Sequence, residues 1–163
     1  MIKDVNQPLL LVIDNDKIEE AITRLSRVGF DNTIGFLQGG IEVWRASGRE
    51  IDTLKSIPAE TFANDIKEND NSIFDVRKDG EYAAEHVDGA KHTSLEFIND
   101  HLAAFPKDDA FYVHCAGGYR SVIAASILKS RGFHNVIDVA GGYAAIKETD
   151  VKRTDYVCPT TLK

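Results

Sequence analysis

Cysteine is scarce in this chain of 163 residues: there are two, alongside one methionine, one tryptophan and four prolines. Two cysteines are too few for a disulfide scaffold and make no metal-binding framework. A reducing, cytoplasmic compartment suits such a chain, because there a lone cysteine persists as a thiol. Long apolar runs are missing as well, since none approaches the roughly 18 residues of a membrane span. The start, Met1-Ile2-Lys3-Asp4, does not open a signal peptide, because the apolar stretch at 9–13 is short and charge follows it. There is no excess of positive charge either. Lys and Arg number 19 against 26 Asp and Glu, a net charge of −7, which argues against a general nucleic-acid or anionic-membrane surface but allows a small basic pocket. What remains is ordinary for a globular protein: 43% hydrophobic and 28% charged residues. The length suits one ordinary domain, or one domain of about 100 residues with an appendage.

Apolar runs and helical periodicities alternate along the chain. Residues 8–13 read as a strand. Asp14-Asn15-Asp16 caps a helix whose apolar face is Ile18, Ala21, Ile22, Leu25 and Val28. A strand over 33–37 and a short helix over 41–46 follow, and Trp44 is expected to pack in a core. Residues 49–57 read as an exit segment and 58–68 as a helix. Then come a strand at 72–76, a short helix at 78–85, a turn at 86–90 and a helix from Ser94 to about 104. The remainder is a strand at 110–113, a helix at 120–131, a strand at 135–139 and a helix at 143–149. Residues 151–163 carry no periodicity and read as an irregular, frayed tail. Strands alternating with helices predict an α/β domain with a mostly parallel sheet, whose sites lie at the carboxyl ends of its strands.

One of those ends carries Val113-His114-Cys115-Ala116-Gly117-Gly118-Tyr119-Arg120-Ser121. The glycine pair lets the backbone turn so that several N–H groups converge, and a helix N-terminus aimed at a sulfur favours its anionic form. Cys115 is therefore the expected nucleophile, with Ala116, Gly117, Gly118, Tyr119, Arg120 and Ser121 as its loop. Arg120 has two open readings: charge partner of the loop or its substrate, or half of a structural ion pair. Tyr119 either lines the pocket mouth or covers the helix start. Strand alternation points His114 away from Cys115 and into the structure. Arg77, at a strand end after Asp75-Val76, reads as half of a structural pair, His86 as a residue that fixes its turn, and Cys158 as incidental.

The chain also repeats itself. Arg27-Val28-Gly29-Phe30-Asp31-Asn32-Thr33-Ile34 matches Ser130-Arg131-Gly132-Phe133-His134-Asn135-Val136-Ile137, and a Gly-Gly pair follows each, at 39–40 and 141–142. In the first copy Asp14-Asn15-Asp16 stands where the cysteine loop should be, and nothing supplies a counterpart to residues 72–105. Three regions are expected: a partial, cysteine-less segment at 1–57, an intact domain at 58–150 and the tail at 151–163.

With these pieces placed, the sequence resembles the rhodanese (sulfurtransferase) family. The resemblance rests on Asp75-Val76-Arg77 after a strand and on His86 with Gly89-Ala90. The loop 115–121, the step Gly132-Phe133-His134-Asn135-Val136 and Gly141-Gly142-Tyr143 complete it. It implies a rhodanese-like sheet flanked by helices and a sulfurtransferase that works through a Cys115 persulfide without a cofactor. Asp75, Arg77 and His86 would be supporting residues. The donors implied are thiosulfate or a small persulfide such as glutathione persulfide, and the acceptors a thiol or cyanide. Rhodanese-like phosphatases and arsenate reductases have one residue more between cysteine and arginine, and the shorter spacing here fits a single sulfur. Family members often carry arginine directly after the cysteine, where this chain has Ala116. A partial copy followed by an intact one also looks like the C-terminal part of fusions with an upstream metallo-β-lactamase-fold persulfide dioxygenase or hydrolase. The chain itself lacks that fold's metal motif, and a non-turnover sulfur-accepting or docking module of such a fusion is the alternative role.

Overall fold

The computed structural model describes residues 4–158. The chain divides after Asp52 into two compact units.

The first unit holds two parallel strands, β1 (Leu9–Leu11) and β2 (Thr33–Phe36), with helices α1 (Ile18–Ser26) and α2 (Gly40–Ala46). Its apolar residues are only partly covered: Leu9 is buried, while Leu10, Val12 and Ile34 are 61–73% exposed. Trp44 departs from its expected core position. It is half-buried, its indole N–H donates to the Glu50 carbonyl at 2.9 Å, and the Arg49 guanidinium lies 4.9 Å from the ring centre. The Asp14-Asn15-Asp16 cluster forms a 3₁₀ turn at Asn15–Lys17 instead of a side-chain cap, and the Gly39 N–H donates to Asn15 Oδ1.

The second unit begins with a strand that the sequence does not announce. Residues 55–57 lie in the stretch expected to be an exit segment, yet they form β3 (Lys55–Ile57), paired in parallel with β7 (Val136–Val139). Three residues with one buried side chain are too short to show a period, so only the neighbouring strand makes this segment extended. Between them come α3 (Ala59–Glu68), β4 (Ile73–Asp75), α4 (Asp79–Ala84), a two-residue edge strand β5 (Lys91–His92) and β6 (Phe111–His114). Helices α5 (Tyr119–Ser130) and α6 (Gly142–Ile146) follow β6 and β7. The five strands are parallel in the order β3-β7-β6-β4-β5. Every residue of β4, β6 and β7 is buried, as expected for a parallel sheet covered on both faces.

Two further expectations change. The helix expected from Ser94 is two 3₁₀ segments, Leu95–Asp100 and Leu102–Ala104. Leu95 and Ile98 are both buried, and three residues per turn stack such a pair on one line. The segment after residue 150 is irregular but not frayed over its described part. Val151 is buried, the Asp88 N–H donates to the Lys152 carbonyl, the Thr154 N–H to the His86 carbonyl and the Val157 N–H to the Ala84 carbonyl. Tertiary hydrogen bonds hold it where no local pattern does. Residues 159–163 lie outside the described part.

The internal repeat extends to the backbone. The Phe30 N–H donates to the Leu25 carbonyl as the Phe133 N–H donates to the Leu128 carbonyl, each at 3.0 Å. The φ angles of Gly39-Gly40, 78° and 63°, match those of Gly141-Gly142, 75° and 58°.

Candidate functional site

Strand β6 is flanked by β7 and β4, and its carboxyl end delivers Cys115 to the middle of the sheet's C-terminal edge. Gly118, at φ 95°, turns the chain into α5 and donates its N–H to Cys115 Sγ at 3.2 Å. The cysteine is 1% exposed, so its sulfur lies sunk in the loop. Ser121 closes the first turn of α5 by donating to the Gly118 carbonyl at 3.1 Å. Ala116 is half-buried, Gly117 is exposed and Tyr119 is 80% exposed.

A second loop clamps the first. The Tyr143 N–H donates to the Cys115 carbonyl at 2.6 Å and the Ala144 N–H to the Ala116 carbonyl at 2.9 Å. The approach is possible because of Gly142. A Cβ there would overlap the Cys115 carbonyl oxygen and lie 2.9 Å from the Gly118 nitrogen. The Gly-Gly motif after β7 thus belongs to the site, although the sequence presents it only as a turn.

Arg120 resolves into the ion-pair reading. Its guanidinium donates to both oxygens of Glu81 on α4, at 2.6 and 2.8 Å. Glu81 is a residue that sequence reasoning missed: Arg120 asked for a carboxylate, but Asp79, Glu81 and Glu85 were equally available by spacing. Glu81 also accepts the Lys78 N–H at 3.1 Å and so caps α4. The Arg120 hydrogen bonds above all pull the Glu81 carboxyl from 4.5 down to about 2, and the same bonds raise Arg120. A carboxylate with a depressed pKa stabilises the fold fully above its unfolded value and loses that contribution as pH falls through its folded value. The stability difference between wild type and Glu81→Gln is therefore expected to be flat above pH 4.5 and to shrink toward pH 2. Urea midpoints measured against pH check this; a difference that stays constant below pH 4.5 contradicts it.

Behind the loop lies a buried polar group set. Asp75, with no exposed surface, receives the Arg77 Nε and Nη2 donors at 2.6–3.0 Å, and Arg77 is itself only 5% exposed. Arg77 also donates to the Glu85 carbonyl, and its guanidinium carbon stands 3.9 Å from the Tyr143 ring centre. Asp75 and Arg77 are thus partners of each other, and through Tyr143 they brace the residue that holds the Cys115 carbonyl. Asp75→Asn is expected to destabilise the protein by about 3–5 kcal/mol, because it leaves a buried guanidinium without its counter-charge. Denaturant unfolding measures it, and a loss well under 1 kcal/mol would show that the pair is dispensable.

His114 is fully buried, with Nδ1 3.5 Å from the Cys115 carbonyl and Nε2 4.0 Å from Asp75 Oδ2. Burial lowers its pKa although Asp75 opposes the shift, which keeps the imidazole neutral. His86 is engaged in its own turn: Nδ1 lies 2.8 Å from the Tyr82 carbonyl, the ring stacks on Tyr82 at 3.8 Å, and the His86 backbone N–H donates to Thr154 Oγ1. Cys158 is exposed on the C-terminal segment. Among the described residues no group of three or more His, Cys, Asp or Glu side chains is placed to hold a metal ion, and no helix is long and apolar enough to cross a membrane.

An α/β fold of this kind is shared with known proteins. The family model for the rhodanese-like domain matches residues 58–149, and the chain belongs to that family. The thiosulfate sulfurtransferase GlpE of Pseudomonas fluorescens (strain SBW25) is 35% identical over 95 residues, covering 58% of this chain and 86% of that protein. The candidate sulfur carrier protein YrkF of Bacillus subtilis is 30% identical over 97 residues, 59% of this chain. That match spans about half of YrkF, 52% of its length. The crystal structure of a rhodanese-like domain protein from Staphylococcus aureus superposes with a TM-score of 0.56 at 32% identity, covering 61% of this chain and 97% of that one.

Proposed function

We propose that this chain is a sulfurtransferase that moves sulfane sulfur from thiosulfate or a small persulfide to a thiol or cyanide through a Cys115 persulfide. The observation that carries the proposal is the Gly118 N–H donated to Cys115 Sγ at the head of α5, in a loop closed by the Arg120–Glu81 pair. The Cys115 thiolate attacks the outer sulfur of the donor; a bond forms between the two sulfurs, and the donor's own sulfur–sulfur bond breaks, its electron pair leaving as sulfite or thiolate. An acceptor thiolate or cyanide then attacks that outer sulfur and returns Cys115 to the thiolate. Both steps carry negative charge on sulfur at the head of α5, where the Gly118 N–H meets Sγ. Asp75 and Arg77 act as bracing residues behind the loop, and His86 as a turn residue. The sulfurtransferase relatives, such as the Pseudomonas fluorescens enzyme, support the assignment at family level.

Mass spectrometry of the reduced protein after treatment with thiosulfate or glutathione persulfide should find one extra sulfur atom on Cys115. A reduced Cys115 that gains none from either donor excludes the proposal. The second role, a sulfur-accepting or docking module beside an upstream metallo-β-lactamase-fold domain, has as its support the partial first copy, whose Leu10, Val12 and Ile34 stand uncovered. It predicts an adduct that forms once but turns over negligibly with small acceptors.

A further inference from the structure

A cleft of about 330 Å³ opens beside the cysteine loop, between α4, α6 and the C-terminal segment. Two of its lining residues are the ones that hold the loop: Glu81 grips Arg120, and the Tyr143 N–H binds the Cys115 carbonyl. The cleft is therefore joined to the loop through Glu81 and Tyr143. Ala84 and Tyr156 also line it. At the rim Lys147 Nζ and Glu85 Oε2 stand 3.2 Å apart, a cation and a carboxylate side by side, the lysine side chain about half exposed.

Tyr156 makes this cleft more than a surface dimple. The residue is 66% exposed, yet its neighbours in the chain are fixed by the Val157 N–H donated to the Ala84 carbonyl at 2.7 Å and the Thr154 N–H donated to the His86 carbonyl at 2.9 Å. A large aromatic side chain held at a cleft wall with its face uncovered is a surface for a ligand with an apolar or planar body. Thiosulfate has no such body. The loop also offers a small dianion little net charge, because Glu81 neutralises Arg120 and the residue after the cysteine is Ala116.

We propose that this cleft binds the organic body of the donor, the R of a persulfide R–S–SH, and that R is amino-acid- or peptide-like. Its stem rests between Tyr143 and Tyr156, and its carboxylate and ammonium exchange partners with Lys147 and Glu85. The proposal rests on the Cys115 persulfide chemistry above. In the step it serves, Cys115 S⁻ bonds to the outer sulfur, the R–S–S bond breaks and R–S⁻ leaves with the electron pair. The outer sulfur keeps its proton, so Cys115 becomes Cys115–S–SH. Tyr156 and Lys147 are positioning and specificity residues; neither touches the reacting sulfurs.

The test measures the first half-reaction in the full chain by quenched mass spectrometry, with glutathione persulfide as the bodied donor and thiosulfate and inorganic disulfide (HSS⁻) as the bodiless ones. In Tyr156→Ala the preference for glutathione persulfide over the bodiless donors is expected to fall about tenfold, through the half-saturating concentration more than the limiting rate. In Lys147→Gln the half-saturating concentration is expected to rise for glutathione persulfide and to stay put for the uncharged 2-hydroxyethyl persulfide. An unchanged preference in Tyr156→Ala, while wild-type Cys115 accepts sulfur normally, overturns the cleft assignment alone. No sulfur on wild-type Cys115 from any donor overturns the sulfurtransferase function, and the cleft assignment with it.

Discussion

Cys115→Ser is expected to lower steady-state sulfur transfer by at least about a thousandfold, with either thiosulfate or glutathione persulfide as donor. A serine hydroxyl is a far weaker nucleophile toward sulfur than a thiolate, and it cannot store the transferred atom as a persulfide between the two half-reactions. The substitution changes little else. The site is 1% exposed and the Gly118 N–H that meets Sγ can meet Oγ instead, so the fold should survive at a cost of about 1 kcal/mol. Cys115→Ala is the companion variant: it removes the nucleophile without adding a polar group. Circular dichroism and unfolding midpoints close to wild type, together with lost turnover in both variants, separate chemistry from stability. Turnover retained in either variant would remove Cys115 from the reaction and leave the loop as structure.

Gly142→Ala is expected to damage both the fold and the site, by about 3 kcal/mol or more, which is large against the usual marginal stability of a domain. Two independent costs add. At φ 58° the backbone is in the left-handed region, where a side chain adds about 1 kcal/mol. The new Cβ would also meet backbone on three sides: the Cys115 carbonyl oxygen, the Gly118 nitrogen at 2.9 Å and the Ala116 carbonyl carbon at 3.0 Å. None of these is the tip of a flexible side chain, so relief requires the α6 loop and the cysteine loop to part. Parting them breaks the hydrogen bonds from the Tyr143 and Ala144 N–H groups to the Cys115 and Ala116 carbonyls. The rate of Cys115 persulfide formation should therefore fall even at temperatures where the variant is folded. Gly89→Ala is the control: it also has a positive φ, 79°, but nothing lies within 4 Å of its Cβ, so only the backbone cost applies. Equal losses in the two variants would show that the clamp adds nothing beyond the backbone conformation.

The internal repeat also differs in how its glycine pairs are seated. Gly40 has nearly the same conformation as Gly142, but its Cβ position is 3.6 Å from the Ile13 carbonyl, without the tight seating on a neighbouring loop that Gly142 has. The first copy keeps the turn and lacks the cysteine.

Much of this was legible in residue order. Apolar runs and helical spacing located β4, β6, β7, α3, α4 and α5, because hydrophobic burial acts on the periodicity of the elements themselves. Cys115, the glycine pair and Arg120 are adjacent in the chain, so their loop could be read as a unit. Other features depend on residues that are remote in sequence. Strand β3 exists because β7 offers it an edge, and the segment after residue 150 is ordered because Ala84, His86 and Asp88 supply hydrogen-bond partners for it. Glu81 is chosen over its acidic neighbours only by the packing that brings α4 to Arg120, and Tyr143 reaches the Cys115 carbonyl only because the loop after β7 returns to it. Local pattern determines which elements form and which residues share one loop. Contacts between distant loops are set by packing, which no single stretch of sequence encodes, and that is why the cysteine loop is legible in the sequence while its clamp, the carboxylate partner of Arg120 and the cleft lined by Glu81 and Tyr143 emerge only from the folded chain.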